Sequence, residues 1–194
     1  MNLINVKLWI TIAVVTSLSI TGISTTASGD TIQCIGEASS CFSSSTPDND
    51  VITGTQFLAE EIFALAGNDV IYAFGGDDHI NGDEGSDFID AGPGSDVVNG
   101  GSGDDTIDGG EGNDRLEGGQ GNDRMLGSAG NDIILGSVGD DNLVGNDGDD
   151  DLYGGPGADR FWCGSGMDTI HDYSQAEGDE IMSEAGCEIV NPSL

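Results

Sequence analysis

Twelve aspartates stand nine residues apart: Asp69, Asp78, Asp87, Asp96, Asp105, Asp114, Asp123, Asp132, Asp141, Asp150, Asp159 and Asp168. Two residues before each stands a glycine: Gly67, Gly76, Gly85, Gly94, Gly103, Gly112, Gly121, Gly130, Gly139, Gly148, Gly157 and Gly166. Two residues after each stands an apolar side chain, from Ile71 to Ile170. Carboxylates are hard oxygen ligands. Glycine admits positive φ and lets the chain bend without a Cβ clash. Such a bend turns main-chain carbonyls away from any ladder, and they need another partner. A hard cation meets both needs, because calcium takes six to eight oxygens from carboxylates and carbonyls.

The repeat runs without insertion from Ala64 to His171, as in "GGSGDDTIDGGEGNDRLEGGQGNDRML". Counted from Ala64, glycine holds place four, aspartate place six and an aliphatic or aromatic residue place eight. Places one and two are looser. Leu65, Phe74, Asp83, Ser128, Ser137 and Asn146 replace the second glycine, and Cys163 replaces the first glycine of the last repeat. Places seven to nine form a short strand with place eight inward, and the first six places form a turn.

The pattern G-G-x-G-x-D-x-U-x resembles the hemolysin-type calcium-binding repeat, also called RTX, over more than half the chain. The resemblance implies an all-β fold, a parallel β-roll (solenoid) with two nonapeptides per coil, capped at both ends. Equivalent turns then recur every 18 residues and stack about 4.8 Å apart. Asp69, Asp87, Asp105, Asp123, Asp141 and Asp159 line one edge and the other six the second. An ion between stacked turns reaches both carboxylates at about 2.4 Å. Five gaps per column give about ten Ca2+ ions, held by the place-four glycines and place-six aspartates. One inward aliphatic residue in nine is a thin core, so metal binding must contribute folding free energy.

Composition agrees. There are 36 acidic residues against 4 basic ones, a formal net charge of -32. That balance excludes nucleic acid and anionic membrane as partners, since both need a basic face, and favours bound cations. Residues 1–27 read as a secretory signal peptide: Lys7, an apolar stretch from Leu8 to Ile20, then Thr25 and Ala27 before a cut. An uncleaved anchor is the alternative; after cleavage no membrane span remains. The chain is then secreted, extracellular or at the cell surface. Four cysteines, Cys34, Cys41, Cys163 and Cys187, read as disulfides in an exported chain. Proximity suggests Cys34–Cys41 and Cys163–Cys187 among three possible pairings, with a cysteine zinc site as a weak rival.

The ends divide as follows. Residues 28–45 form a Ser-rich linker with a Cys pair. Residues 46–63 form a degenerate capping repeat, with Asp50 and Ile52 at places six and eight, and Glu60 and Ile62 there again after a one-residue slip. A helical cap on Phe57, Leu58, Ile62 and Leu65 is the alternative. Residues 64–171 are the roll and 172–194 a C-terminal cap, where Asp172 and Asp179 hold a last ion or belong to a solvated acidic tail.

No enzyme emerges. The carboxylates share one periodic setting with no unlike pair, and His79 and His171 occupy outward places. No Gly-x-Ser-x-Gly or His-Glu-x-x-His motif occurs. The expectation is a calcium-dependent structural or interaction module, with a non-catalytic accessory subunit of a secreted hydrolase as the alternative. Leu126, Val144 and Trp162 fall in one outward column, a strip for a protein partner, a second copy or the C-terminal cap.

Overall fold

A computed structural model describes residues 31–33, 40–42, 48–183 and 186–189. The expected signal segment and the Cys34–Cys41 pairing lie outside them. Eighteen strands follow one another: β1 Thr31–Gln33, β2 Ser40–Phe42, β3 Val51–Thr53, β4 Glu61–Phe63, β5 Val70–Tyr72, β6 His79–Glu84, β7 Phe88–Pro93, β8 Val97–Ser102, β9 Thr106–Glu111, β10 Arg115–Gln120, β11 Arg124–Ala129, β12 Ile133–Val138, β13 Asn142–Asp147, β14 Asp151–Tyr153, β15 Arg160–Ser165, β16 Asp168–Ile170, β17 Glu180–Ser183 and β18 Cys187–Ile189. Odd strands form one nine-stranded sheet and even strands the other, each in simple chain order. Every pairing is parallel. The chain therefore alternates between two facing sheets, and one coil of the roll is two nonapeptides. Register holds each column together: Ile107 faces Met125 across β9 and β11, and Met125 faces Leu143 across β11 and β13.

The place-eight side chains from Ile71 to Ile170 are buried, as their apolar character requires. Two features differ from the sequence reading. Nine of the twelve strands from β5 to β16 run six residues, from place seven to place three of the next repeat, as in Thr106–Glu111. The turn is correspondingly shorter. Alternation along the longer strand also turns place one inward, so Ala64, Ala73, Ala91 and Cys163 join the core.

The ends differ too. The segment expected as a Ser-rich linker supplies β1 and β2, which pair with β3 and β4. Ile52 and Ile62 are fully buried and stand in register with Ile71 and Ile80. Instead of a helix, "FLAEEIFAL" contains a loop and β4; no helix occurs among the described residues. At the far end β17 and β18 pair with β15 and β16. A parallel ladder needs only main-chain groups and one inward apolar residue, so segments without the glycine motif can join it.

Place two carries backbone strain. All six residues that replace its glycine have positive φ: Leu65, Phe74, Asp83, Ser128, Ser137 and Asn146, between 71° and 81°. Left-handed backbone costs an L-residue roughly 1–2 kcal/mol, partly offset on reverting to glycine by chain entropy. Ser137→Gly should therefore stabilise the roll by about 0.5–1 kcal/mol. Gly121→Ala should do the opposite. Its φ is 136°, and a methyl there would run into the Gly103 carbonyl of the preceding coil. Backbone meets backbone at that point, so the expected loss is roughly 2–4 kcal/mol. Thermal melts of the pair in calcium buffer check both signs.

Candidate metal centre

The twelve place-six aspartates form two columns, as their spacing predicts, but they do not lie on the outer edge. Each is no more than 3% exposed. Their side chains turn inward, since place six alternates with the inward places eight and one.

Each carboxylate is half satisfied. The main-chain N–H of Asp105 donates to Oδ1 of Asp123 at 2.8 Å, and that of Asp123 to Oδ1 of Asp141 at 2.8 Å. The same bond, from one coil to the next, runs at 2.7–3.0 Å through both columns. The second oxygen of all twelve, Oδ2, is buried and takes no hydrogen bond. A Cβ at Gly100, Gly118 or Gly136 would strike Oδ2 of Asp105, Asp123 or Asp141 where it stands.

Place four contributes the second kind of donor. The carbonyls of Gly85, Gly103 and Gly121 face the place-four glycine one coil on, closely enough to forbid any side chain there. Among the described residues no main-chain N–H donates to them. Nor do three side chains of His, Cys, Asp or Glu converge anywhere among those residues. A cation here would be held by stacked carboxylates completed with main-chain carbonyls, and the chemistry of that donor set is all oxygen, which fits calcium.

Burial without full hydrogen bonding leaves its mark on acidity. Asp78, Asp87, Asp123, Asp132, Asp141 and Asp150 are pushed up to about 6, and Asp96, Asp105 and Asp159 to about 7. Desolvation is the main cause. The N–H bond from the preceding coil pulls each back in part, and neighbouring carboxylates push in the same direction as burial. Asp69, Asp114 and Asp168 are raised for the same leading reason.

Place five holds a ladder that the sequence reading overlooked. Asn122 N–H donates to Oδ1 of Asp104, and Asp140 N–H to Oδ1 of Asn122, at 2.8 and 2.9 Å. The direction is backward, toward the preceding coil, whereas the place-six bonds run forward. At ten of the twelve turns, all but those of Asp77 and Asn113, the two successive N–H groups are thus tied to different neighbours. The signal was available: Asn, Asp or Ser fills place five in ten of the twelve repeats, and only Ala158 and Met167 depart.

The C-terminal carboxylates behave otherwise. Asp172 accepts from the N–H groups of Gly154 and Gly155, both at 2.9 Å. Asp179 accepts from Asp159 N–H on one oxygen and Ser174 N–H on the other. Both oxygens of each are used, so these residues tie down the closing turn. Cys163 and Cys187 stand at disulfide distance, with Cα atoms 5.6 Å apart. His79 is exposed; His171 stacks on Tyr153 at 4.2 Å and its Nε2 lies 2.7 Å from Asp151 Oδ1. Leu126, Val144 and Trp162 stand in register on the odd sheet, each half-buried.

The model of the RTX calcium-binding nonapeptide repeat matches in four copies, at residues 58–89, 90–125, 126–161 and 135–170. The chain belongs to this family. Its repeats are calcium-binding repeats on a β-solenoid, a structural module. Among curated proteins none matches the chain. No helix among the described residues is long and apolar enough to cross a membrane.

Proposed function

We propose that calcium is held in the gaps between stacked turns of this RTX roll, on the place-six carboxylates and place-four carbonyls, about ten ions in all. One observation carries the reading: twelve buried carboxylates each keep an oxygen with no hydrogen bond. A buried anion left half satisfied costs free energy, and twelve together oppose the fold. Bound calcium supplies positive charge and oxygen coordination at that point. The chain's part is to fix the geometry: place-five and place-six N–H bonds set the stacking, and the place-four glycines clear the space.

Residues 1–27 then act as an export signal, and the module works outside the cell, where extracellular calcium sites typically bind at about 10⁻⁴–10⁻³ M. A Cys163–Cys187 disulfide would staple the closing turn to the last repeats. The half-buried Leu126, Val144 and Trp162 column is the face for a partner or second copy, and a non-catalytic accessory role beside a secreted hydrolase is the second form of the same reading.

The test is a calcium titration followed by far-ultraviolet circular dichroism at neutral pH. Strand signal should grow with calcium and vanish on chelation. A strand signal indifferent to chelator overturns the proposal.

A further inference from the structure

We infer that the turn Asp48–Asn49–Asp50 is a further calcium half-site, outside the residues 58–170 that the family's repeat matches. The inference rests on the calcium reading above and adds a position to it. The sequence there, "TPDNDVIT", lacks the place-four glycine. Nineteen residues, not eighteen, separate Asp50 from Asp69, because the next loop carries one extra residue and leaves Phe57 87% exposed. That insertion breaks the nine-residue count. The stacked turn is nonetheless complete.

Each part of a repeat turn has its counterpart. The Asp48 carbonyl faces the Cα of Gly67, as the Gly85 carbonyl faces that of Gly103. Asn49 Oδ1 accepts from Asn68 N–H at 2.9 Å, the place-five bond. Asp50 N–H donates to Asp69 Oδ1 at 2.7 Å, the place-six bond. Asp50 is 2% exposed and Ile52 is in the core. The Asp69 carboxylate is anchored in this gap by that bond, and its Oδ2 is buried with no hydrogen bond.

The other column shows what a closed end looks like. Glu60 N–H donates to Asp78 Oδ1, so Glu60 occupies place six. Its own oxygens are taken by the hydroxyl and N–H of Thr55. Ala59 stands where a place-five Asn would be. Glu60 therefore caps its column without a cation, and the two columns start one coil out of step.

Equilibrium dialysis with calcium, with the ions counted on the full chain, separates the cases. Asp50→Asn keeps a side chain of the same shape and should lose one ion relative to wild type. Glu60→Gln should lose none, and Asp123→Asn at least one. An Asp50→Asn chain with the full complement, beside a depleted Asp123→Asn chain, overturns the inference and leaves the calcium reading standing. If Asp123→Asn also keeps every ion, both fall.

Discussion

In calcium-free buffer the chain is expected to hold its β-roll at about pH 5 and to lose it by about pH 7.5. The carboxylates that decide this are those of the two columns. In the unfolded chain they titrate near 3.8; in the roll nine of them titrate at about 6 or about 7, chiefly because burial disfavours the charged form. Between those limits the folded state binds more protons than the unfolded state. Stability is then full below the unfolded value and falls as pH rises through the folded values. By neutral pH the metal-free roll must either ionise a stack of buried carboxylates or unfold.

At the proposed sites calcium takes over as the protons leave, because it would neutralise the same oxygens. Two consequences can be measured together. Circular dichroism in chelator should show strand content falling between about pH 5 and pH 7.5, with calcium restoring it at the upper end. Calorimetry at about pH 6 should show protons released on calcium binding, in an amount that varies with the buffer's ionisation enthalpy. A metal-free roll equally stable at both pH values would contradict the buried, half-satisfied state of the aspartates.

Substitution of one mid-column carboxylate should change sign with calcium. Asp123 carries a buried charge, accepts from Asp105 N–H on Oδ1, and leaves Oδ2 without a hydrogen bond. Asp123→Asn keeps an acceptor for that N–H and removes the charge. Without calcium at neutral pH it should stabilise the roll, since a desolvated anion disappears. With calcium it should destabilise the roll, since the ions above and below each lose an anionic ligand. Asp123→Ala removes the acceptor as well. It leaves the buried Asp105 N–H unpaired at a cost of about 1–3 kcal/mol and should destabilise under both conditions. Denaturant melts of wild type, Asn and Ala chains in calcium, and the pH at which each loses its strand signal in chelator, give the two orders of stability. The reading requires the order of wild type and Asn to invert between the two conditions. An Asn variant weaker in both would show the carboxylate to be structural, with no part in binding a cation.

Stacked ladders also explain why so acidic a chain can have a regular fold at all. Each internal place-six residue donates its N–H forward and accepts on Oδ1 from behind, so every internal turn is tied to both neighbours without any cation, and place-five bonds add a backward tie at ten of the twelve turns. These bonds set register. They do not remove the charge, which stands at -32 for the whole chain, and self-repulsion of that size opposes compaction. Register comes from the main chain and its amide and carboxylate acceptors; on the proposed reading, calcium supplies the charge compensation that lets the register persist at neutral pH.

The nine-residue period, read in the sequence alone, determined the inward apolar line from Ile71 to Ile170, and the resemblance carried by the same residues implied the coil of two nonapeptides and with it the two aspartate columns. The period did so because periodicity translates directly into which side chains stack. The family followed from the same residues. What the sequence could not show was direction. Whether Asp123 faces solvent or the core depends on how far pairing extends past place nine, and only the six-residue strands with place one turned inward settle it. Nor could it show which carboxylates are already spent. Asp179 and Glu60 look like ligands in the sequence, but the turns at Ser174 and Thr55 bring donors to them that no periodicity announces. The worn ends were hidden for a related reason. Segments such as Ser40–Phe42 and Glu180–Ser183 join the sheets through main-chain hydrogen bonds offered by the strand beside them. A pairing made by the backbone leaves no signature in side chains, so only the assembled coil reveals it.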